Sequence, residues 1–303
     1  RYLRELRGDF GKYLVIFILM TLTIGMVSGF LVADGSMIQA YEESFEKYNI
    51  ENGHFRTEKK MNNAQIQDIE DLGIKLYENY YVEEALTNGS TMRIFKNRDE
   101  VNKVCLMKGK MPEKPGEIGI DRMYADNNNL SVGDEIESGG HTWKITGLVA
   151  LSDYSDLFSN NNDSMFDSVK FGVSVVCPEE FDSYKADQLN YSYAWKYNTE
   201  PKNEKAEKDI SEDLMEDVAK EVTLEEFVPR YTNQAIIFTG DDMGGDRSMM
   251  IVLRYIIIVI MPFVFAITTS NTIRKEANVI GTLRASGYTR GELIRHYMAA
   301  PVF

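Results

Sequence analysis

The chain has 303 residues, 44% of them hydrophobic, and a formal net charge of −14, an average that suits about two ordinary globular domains. Its acidic surface excludes a nucleic-acid-binding role, because it repels phosphate. The average also conceals a segregation of apolar and charged residues along the chain.

Residues 1–12, "RYLRELRGDFGK", are basic and amphipathic and read as a cytoplasmic elbow helix lying before a membrane span. Residues 13–33, "YLVIFILMTLTIGMVSGFLVA", then run for 21 positions without a charge, matching the ~20 residues that a transmembrane helix needs. The run exceeds the ~7 to 15 apolar residues of a secretory signal and no A-x-A site follows, so a span is the better reading. Within it, Gly25 and Gly29 form a G-x-x-x-G, a spacing that lets two helices approach closely. Beyond it, Met37, Ile38, Tyr41, Phe45 and Tyr48 fall on one helical stripe, which predicts that the span runs on as a stalk over residues 34–48.

Residues 49–248 read as a mixed α+β domain. Asn88-Gly89 and Gly139-Gly140 predict hairpins between "YYVEEAL" and "STMRIF" and between "DEIES" and "HTWKITGLVAL". "NAQIQDIEDLG" and "EKAEKDISEDLMEDVAKEV" have helical spacing, the first ending at Gly73, and "VKFGVSVVC" and "NYSYAWKYN" read as further strands. Two subdomains are expected to meet near residues 151–167. Cys105 and Cys177 are compatible with a disulfide or with two buried thiols. "GDDMGGDRS", just before the second apolar run, predicts a turn or a helix start.

Residues 249–272 form that second span, interrupted only by Arg254, and Pro262 is expected to kink it. Residues 34–248 hold 23 basic and 43 acidic side chains, whereas both flanks are basic: Arg1, Arg4, Arg7 and Lys12 before the first span, Arg274, Lys275, Arg284, Arg290 and Arg295 after the second. The positive-inside rule puts both flanks in the cytoplasm and the large domain outside.

Residues 273–296 then make a short amphipathic helix with Ala277, Ile280, Leu283 and Arg284 near one face, Gly287 placed to end it, and a T-x-x-E box at Thr289 and Glu292 starting a return helix. Residues 297–303 are expected to open a third span, so that the sequence is a fragment. No P-loop, H-E-x-x-H or G-x-S-x-G is present, and no catalytic, cofactor-binding or metal-ligating set is legible. His54, His141 and His296 are too scattered for zinc, and "SDYSDLFSNNNDSMFD" lacks the order of a calcium loop.

Glu276, Ile280-Gly281, Leu283-Arg284-Ala285, Gly287, Thr289 and Ile294 stand in nearly the order of the E-I-G-x-L-R-A-x-G-x-[ST]-x-x-x-I stretch of the FtsX-like permeases, with "ANV" inserted after the acid. "GKMPEKPGEIGIDRMYADNNNLSVGDEIESGGHTWKITGLV" is similar to the MacB-type periplasmic core domain. The chain therefore resembles the membrane subunits of the MacB and LolCDE class of ABC transporters. The resemblance implies an α-helical membrane protein of a bacterial plasma or inner membrane, carrying a mixed α+β extracytoplasmic domain on stalk helices continuous with the spans. It also implies a separate ABC ATPase, a second or homologous permease copy and lipid as partners, with an extracytoplasmic protein as a further one. Glu276, Ile280, Gly281, Leu283, Arg284, Gly287, Thr289 and Arg290 would form the ATPase-coupling segment, and Gly25 and Gly29 a helix-packing face. A two-span receptor is the alternative, and it would need a long heptad-patterned helix after the second span, which Gly281, Gly287 and the return helix interrupt.

Overall fold

The computed structural model describes residues 10–302. The expected elbow helix lies outside the described residues over 1–9. Two compact units are present: residues up to Met37 together with those from Met243, and residues Ile38–Asp242.

The first unit is dominated by two long helices. Helix α1 spans Phe10–Lys47 and helix α6 spans Gln234–Lys275, the last residues of α1 and the first of α6 belonging to the second unit. Mean hydropathy reaches 2.4 and 2.6 along them, long and apolar enough to cross a membrane. Leu22 and Met26 are each 67% exposed and Phe263 is 65% exposed. Each such side chain left in water forgoes about 1.5–3 kcal/mol of burial, so an acyl-chain environment is the physical answer to these surfaces. At ~1.5 Å per residue, α1 is about 57 Å long, far more than the ~30 Å hydrocarbon core.

One expectation fails here. "GDDMGGDRS" is helical throughout, and α6 starts upstream of it at Gln234. Gly244 and Gly245 each cost ~1 kcal/mol against alanine, less than nucleating a helix afresh. The start is instead fixed by side chains: Asn161 Oδ1 accepts from Gln234 N at 2.8 Å and Asn233 Oδ1 from Ala235 N at 3.1 Å. Pro262 lies inside α6 without ending it.

The second unit holds two sheets. Strands β1 (Gly53–Thr57), β2 (Ile74–Glu78), β10 (Tyr191–Tyr197) and β11 (Leu224–Pro229) form an antiparallel sheet in the order β11-β1-β10-β2. Alternation along β1 sends Phe55 into the core and His54 and Arg56 to the opposite, polar face. The core face carries Phe55, Tyr193 and Trp195, each at most 1% exposed, together with Ile69 of helix α2 (Asn63–Glu70) and Leu214 and Val218 of helix α5 (Glu204–Glu221). A capping box of Asn62 and Gln65 opens α2, and Gly73, at φ +97°, follows its end.

The other sheet has seven strands: β3 (Tyr81–Ala85), β4 (Thr91–Lys96), β9 (Phe171–Val176), β6 (Glu117–Asp121), β8 (His141–Leu151) and β5 (Val104–Gly109) in that order, with β7 (Glu135–Ser138) paired to β8. Both predicted hairpins form, with Gly89 at φ +82° and Gly139 and Gly140 at +54° and +83°. Strand β9 is buried along its whole length, which fits its position between β4 and β6 and a run that is apolar except at Ser174. Short helices α3 (Arg122–Asn127) and α4 (Pro178–Phe181) complete the unit.

The chain does not pass from one sheet to the other at 151–167. The chain lays down β1 and β2, crosses at residues 79–80 to build β3 to β9, and returns to the first sheet with β10. Residues 152–167 are a loop, and the pairings that define the small sheet join residues too distant for local patterning to reveal. Cys105 and Cys177 are free thiols, Cys105 receiving a hydrogen bond from the Tyr48 hydroxyl at 3.2 Å.

Candidate functional site

The segment following α6 is built by local chemistry at each joint. Glu276, at φ −98° and ψ 14°, separates α6 from helix α7 (Ala277–Ala285). At the far end Ser286 is the C-cap and Gly287 takes φ +99°. Gly287 N donates to Arg284 O and Tyr288 N to Leu283 O, each at 3.2 Å. This is the paired 5→2 and 6→1 arrangement that closes a helix on a left-handed residue, and glycine adopts that conformation without a Cβ penalty.

The chain restarts at once. Thr289 N donates to Glu292 Oε2 at 2.9 Å and Glu292 N to Thr289 Oγ1 at 3.3 Å, a reciprocal box that opens helix α8 (Arg290–Val302). The backbone N–H and hydroxyl of Thr289 hold the Glu292 carboxyl below its ordinary range. Across the hairpin the Tyr297 hydroxyl donates to the Glu276 carboxylate. Glu276 is therefore tied to α8, a role that its place in the motif did not reveal, because its partner lies 21 positions further on.

Exposure sorts the remaining residues. Ile280 and Leu283 are half-buried, while Gly281, Arg284, Gly287, Thr289 and Arg290 are exposed. A Cβ at Gly281 would meet nothing within 4 Å, so no contact within the chain requires glycine there. The same holds at Gly25 and Gly29 in α1. The exposed apolar surface of the hairpin comes from Val279 (45%), Tyr288 (52%) and Ile294 (54%), with Arg284 and Arg290 also exposed. Val279 and Tyr288 were missed because neither lies on the apolar stripe that periodicity picks out. The hairpin thus presents an exposed surface of apolar and basic side chains. Among the described residues no group of three His, Cys, Asp or Glu is placed to hold a metal.

A second polar assembly lies in the Ile38–Asp242 unit. Arg98 makes a two-pronged pair with Asp153 at 2.7 and 2.8 Å, Asn102 Nδ2 donates to Glu51 Oε2 at 2.6 Å, and His54 Nδ1 lies 2.6 Å from Glu51 Oε1. Glu51 is fully buried. Burial pushes its carboxyl up, but His54, Asn102 and Arg98 outweigh this and hold it below its ordinary range. Burial lowers the His54 imidazole, and the Glu51 carboxylate reverses the shift, leaving it raised. For Asp153 burial prevails over Arg98, and its carboxyl is raised. The cluster is a charge-balanced brace with no nucleophile in it.

No family model and no curated protein matches the chain. Among solved structures, it is similar to the periplasmic region of MacB from Actinobacillus actinomycetemcomitans, at 12% identity and a TM-score of 0.31, over 56% of this chain and 85% of that one. It is also similar to the extracellular domain of the noncanonic ABC-type transporter YknZ from Gram-positive bacteria, at 11% identity and a TM-score of 0.31, over 57% of this chain and 98% of that one. At these values the neighbours carry no functional argument; the helices and the 276–297 hairpin do.

Proposed function

We propose that the chain is a permease subunit of an FtsX-like ABC transporter and that its 276–297 hairpin docks on a separate ATPase. Movement driven by ATP in that partner passes through the spans to the Ile38–Asp242 unit, which faces away from the cytoplasm and exports or extracts a substrate or controls an outer partner. The carrying observation is the helix, left-handed glycine, capping box and return helix placed immediately after an apolar helix of membrane length. A hairpin closed at both joints transmits force as a unit, and its exposed Val279, Tyr288 and Ile294 with Arg284 and Arg290 suit a groove lined by apolar and acidic groups. The open surface at Gly281 admits close approach of a partner, and that at Gly25 and Gly29 admits a second permease helix. The sequence contains no phosphate-binding loop, so hydrolysis is assigned to the partner. A two-span receptor fits less well, because Gly287 ends α7 where a signalling helix would continue.

Pull-down of the ATPase in detergent tests the assignment. Val279→Asp puts a charge on the exposed face and Leu283→Asp puts one on the half-buried face. Desolvating an unpaired carboxylate costs several kcal/mol, enough to weaken a micromolar contact by orders of magnitude. Both variants are expected to release the ATPase while the Ile38–Asp242 unit stays folded. Equal recovery with wild type and Val279→Asp would show that the hairpin is not the contact, as expected if it merely lies in the plane of the bilayer surface.

A further inference from the structure

The last turns of α1 and the first turns of α6 meet inside the Ile38–Asp242 unit. The Tyr41 hydroxyl donates to Ile236 O at 3.0 Å, and the same ring stands so close to Gly240 that a Cβ there would come within 2.6 Å of it. Phe45, one turn on, packs edge-to-face on Tyr41 at 5.0 Å, with the Arg230 guanidinium 5.3 Å from its own centroid. Helix α1 is thus fitted to one short stretch of α6, residues 236–240, and neither helix slides there without moving Ile236 O.

The same stretch is gripped by the loop over residues 152–167. Asp156 N donates to Ala235 O at 3.1 Å and the Thr239 hydroxyl to Asp156 Oδ2 at 2.5 Å. Asn161 Oδ1 accepts from Gln234 N at 2.8 Å, and Asn161 O accepts from Gln234 Nε2 at 3.2 Å. Phe158 and Phe166 pack edge-to-face on Phe238 at 5.4 and 5.8 Å. Among the described residues, the bond from Asp156 N to Ala235 O is the loop's one backbone–backbone hydrogen bond to a distant element, so its path follows α6 rather than a sheet ladder. Its other attachment is Arg93 of β4, which donates to the Tyr154 hydroxyl at 2.6 Å and to Ser159 O at 2.9 Å. The loop is also braced within itself: Asp163 accepts from Ser159 Oγ at 2.7 Å and from Asn160 N at 3.1 Å. A segment tied across its own turn is carried as a body when its attachment moves.

Beneath the loop is a cavity of about 630 Å³. Tyr154, Phe158 and Asn161 of the loop and Ala235 of α6 line one side of it, His54 and Ser192 of the four-stranded sheet another. Asn161 therefore has two roles, as cavity wall and as the acceptor that holds the first amide of α6. We propose that the 152–167 loop is a strap that couples the contact between α1 and α6 to the width of this cavity. A shift at Ile236 O is carried through Ala235, Phe238 and Thr239 to the loop, and the loop moves the cavity wall. The coupling is reciprocal, so anything that fixes the wall also fixes the contact between the helices. The strap lies within the Ile38–Asp242 unit and stands whether or not the 276–297 hairpin meets an ATPase.

Tyr41→Phe tests this from the far side of α6, because it removes the hydroxyl that bonds Ile236 O, keeps the ring and leaves every hydrogen bond of the loop in place. The whole chain in detergent is followed by hydrogen exchange and by modification of His54 with diethyl pyrocarbonate, both read by peptide mass. Exchange at 156–163 is expected to quicken about fivefold in Tyr41→Phe, the opening that one lost hydrogen bond allows, and His54 to react several-fold faster at the same pH. Exchange at 173–176 of β9, and every readout in Glu42→Gln on the exposed side of α1, should match wild type. Unchanged exchange at 156–163, an equal rise in β9, or an equal effect of Glu42→Gln would overturn the strap. Faster exchange in the loop with unchanged reactivity of His54 would overturn its link to the cavity.

Discussion

The proton shared between His54 and Glu51 ties stability to pH in a direction that can be worked out. His54 has a raised folded-state pKa, so its contribution is complete below the ordinary imidazole value of about 6.5 and is lost as pH climbs through the raised one. Glu51 has a lowered value, so its contribution is present above the ordinary carboxyl range and is lost as pH falls through the lowered one. The pair therefore stabilises most between those limits. Asp121 also responds, pushed up to about 6 by burial, which outweighs the hydrogen bonds from the Tyr124 and Met123 amides that lower it, but it is the same in wild type and in any His54 variant. His54→Gln keeps a hydrogen-bond donor and removes the charge. Its melting temperature is expected to lie a few degrees below that of wild type near pH 6, where about 1 kcal/mol moves a domain of this size by ~2–4 °C. The two curves should converge as pH rises above the raised imidazole value. Thermal unfolding at stepped pH checks this, and a constant gap across the range would mean that the imidazolium contributes nothing.

Joints between elements were the most legible part of the sequence, because their chemistry is confined to a few adjacent residues. Asn88-Gly89, Gly139-Gly140, and Thr289 with Glu292 all form what their spacing predicts. "GDDMGGDRS" misled for the converse reason: its turn chemistry is local, but a helix already running from Gln234 into a membrane-length apolar stretch overrides it. In the hairpin the turn at Gly287 was legible and the brace from Tyr297 to Glu276 was not. The left-handed turn makes its own prediction. A β-branched residue at φ +99° costs at least the ~1–2 kcal/mol that any Cβ incurs there. Gly287→Val is expected to loosen the hairpin and reduce ATPase recovery several-fold in pull-down, whereas Gly287→Asn, which tolerates this region, should retain most of it. Equal recovery from both would separate the turn from docking.

At the scale of the molecule, apolar runs gave the two long helices, and hairpin turns and strand-like runs gave β3, β4, β7, β8, β9 and β10, while β1, β2, β5, β6 and β11 went unread. The partition of the strands between sheets was hidden, since Gly53 pairs with Trp195 and Pro229. The charge asymmetry of the sequence makes a claim about sidedness. In a Cys105→Ala background, with Cys177 buried, a membrane-impermeant maleimide applied to intact cells should label Lys205→Cys and leave Ser286→Cys unmodified. Labelling of Ser286→Cys from outside would reverse the topology and remove the hairpin from the reach of any cytoplasmic ATPase.

The split small sheet also sets an order of events for the newborn chain. Strand β1 has no ladder partner before Tyr191, whereas β3 to β9 lie within residues 81–176 and close a sheet among themselves. Non-local pairing is slow, since a long loop must be closed before any contact rewards it. As synthesis proceeds, β1 is made early and waits as a bare edge for more than a hundred residues. An unpaired strand is a template for other chains, and charges along one face are the usual protection. His54 and Arg56, on the face of β1 away from the core, carry that protection during the interval before β10 and β11 arrive.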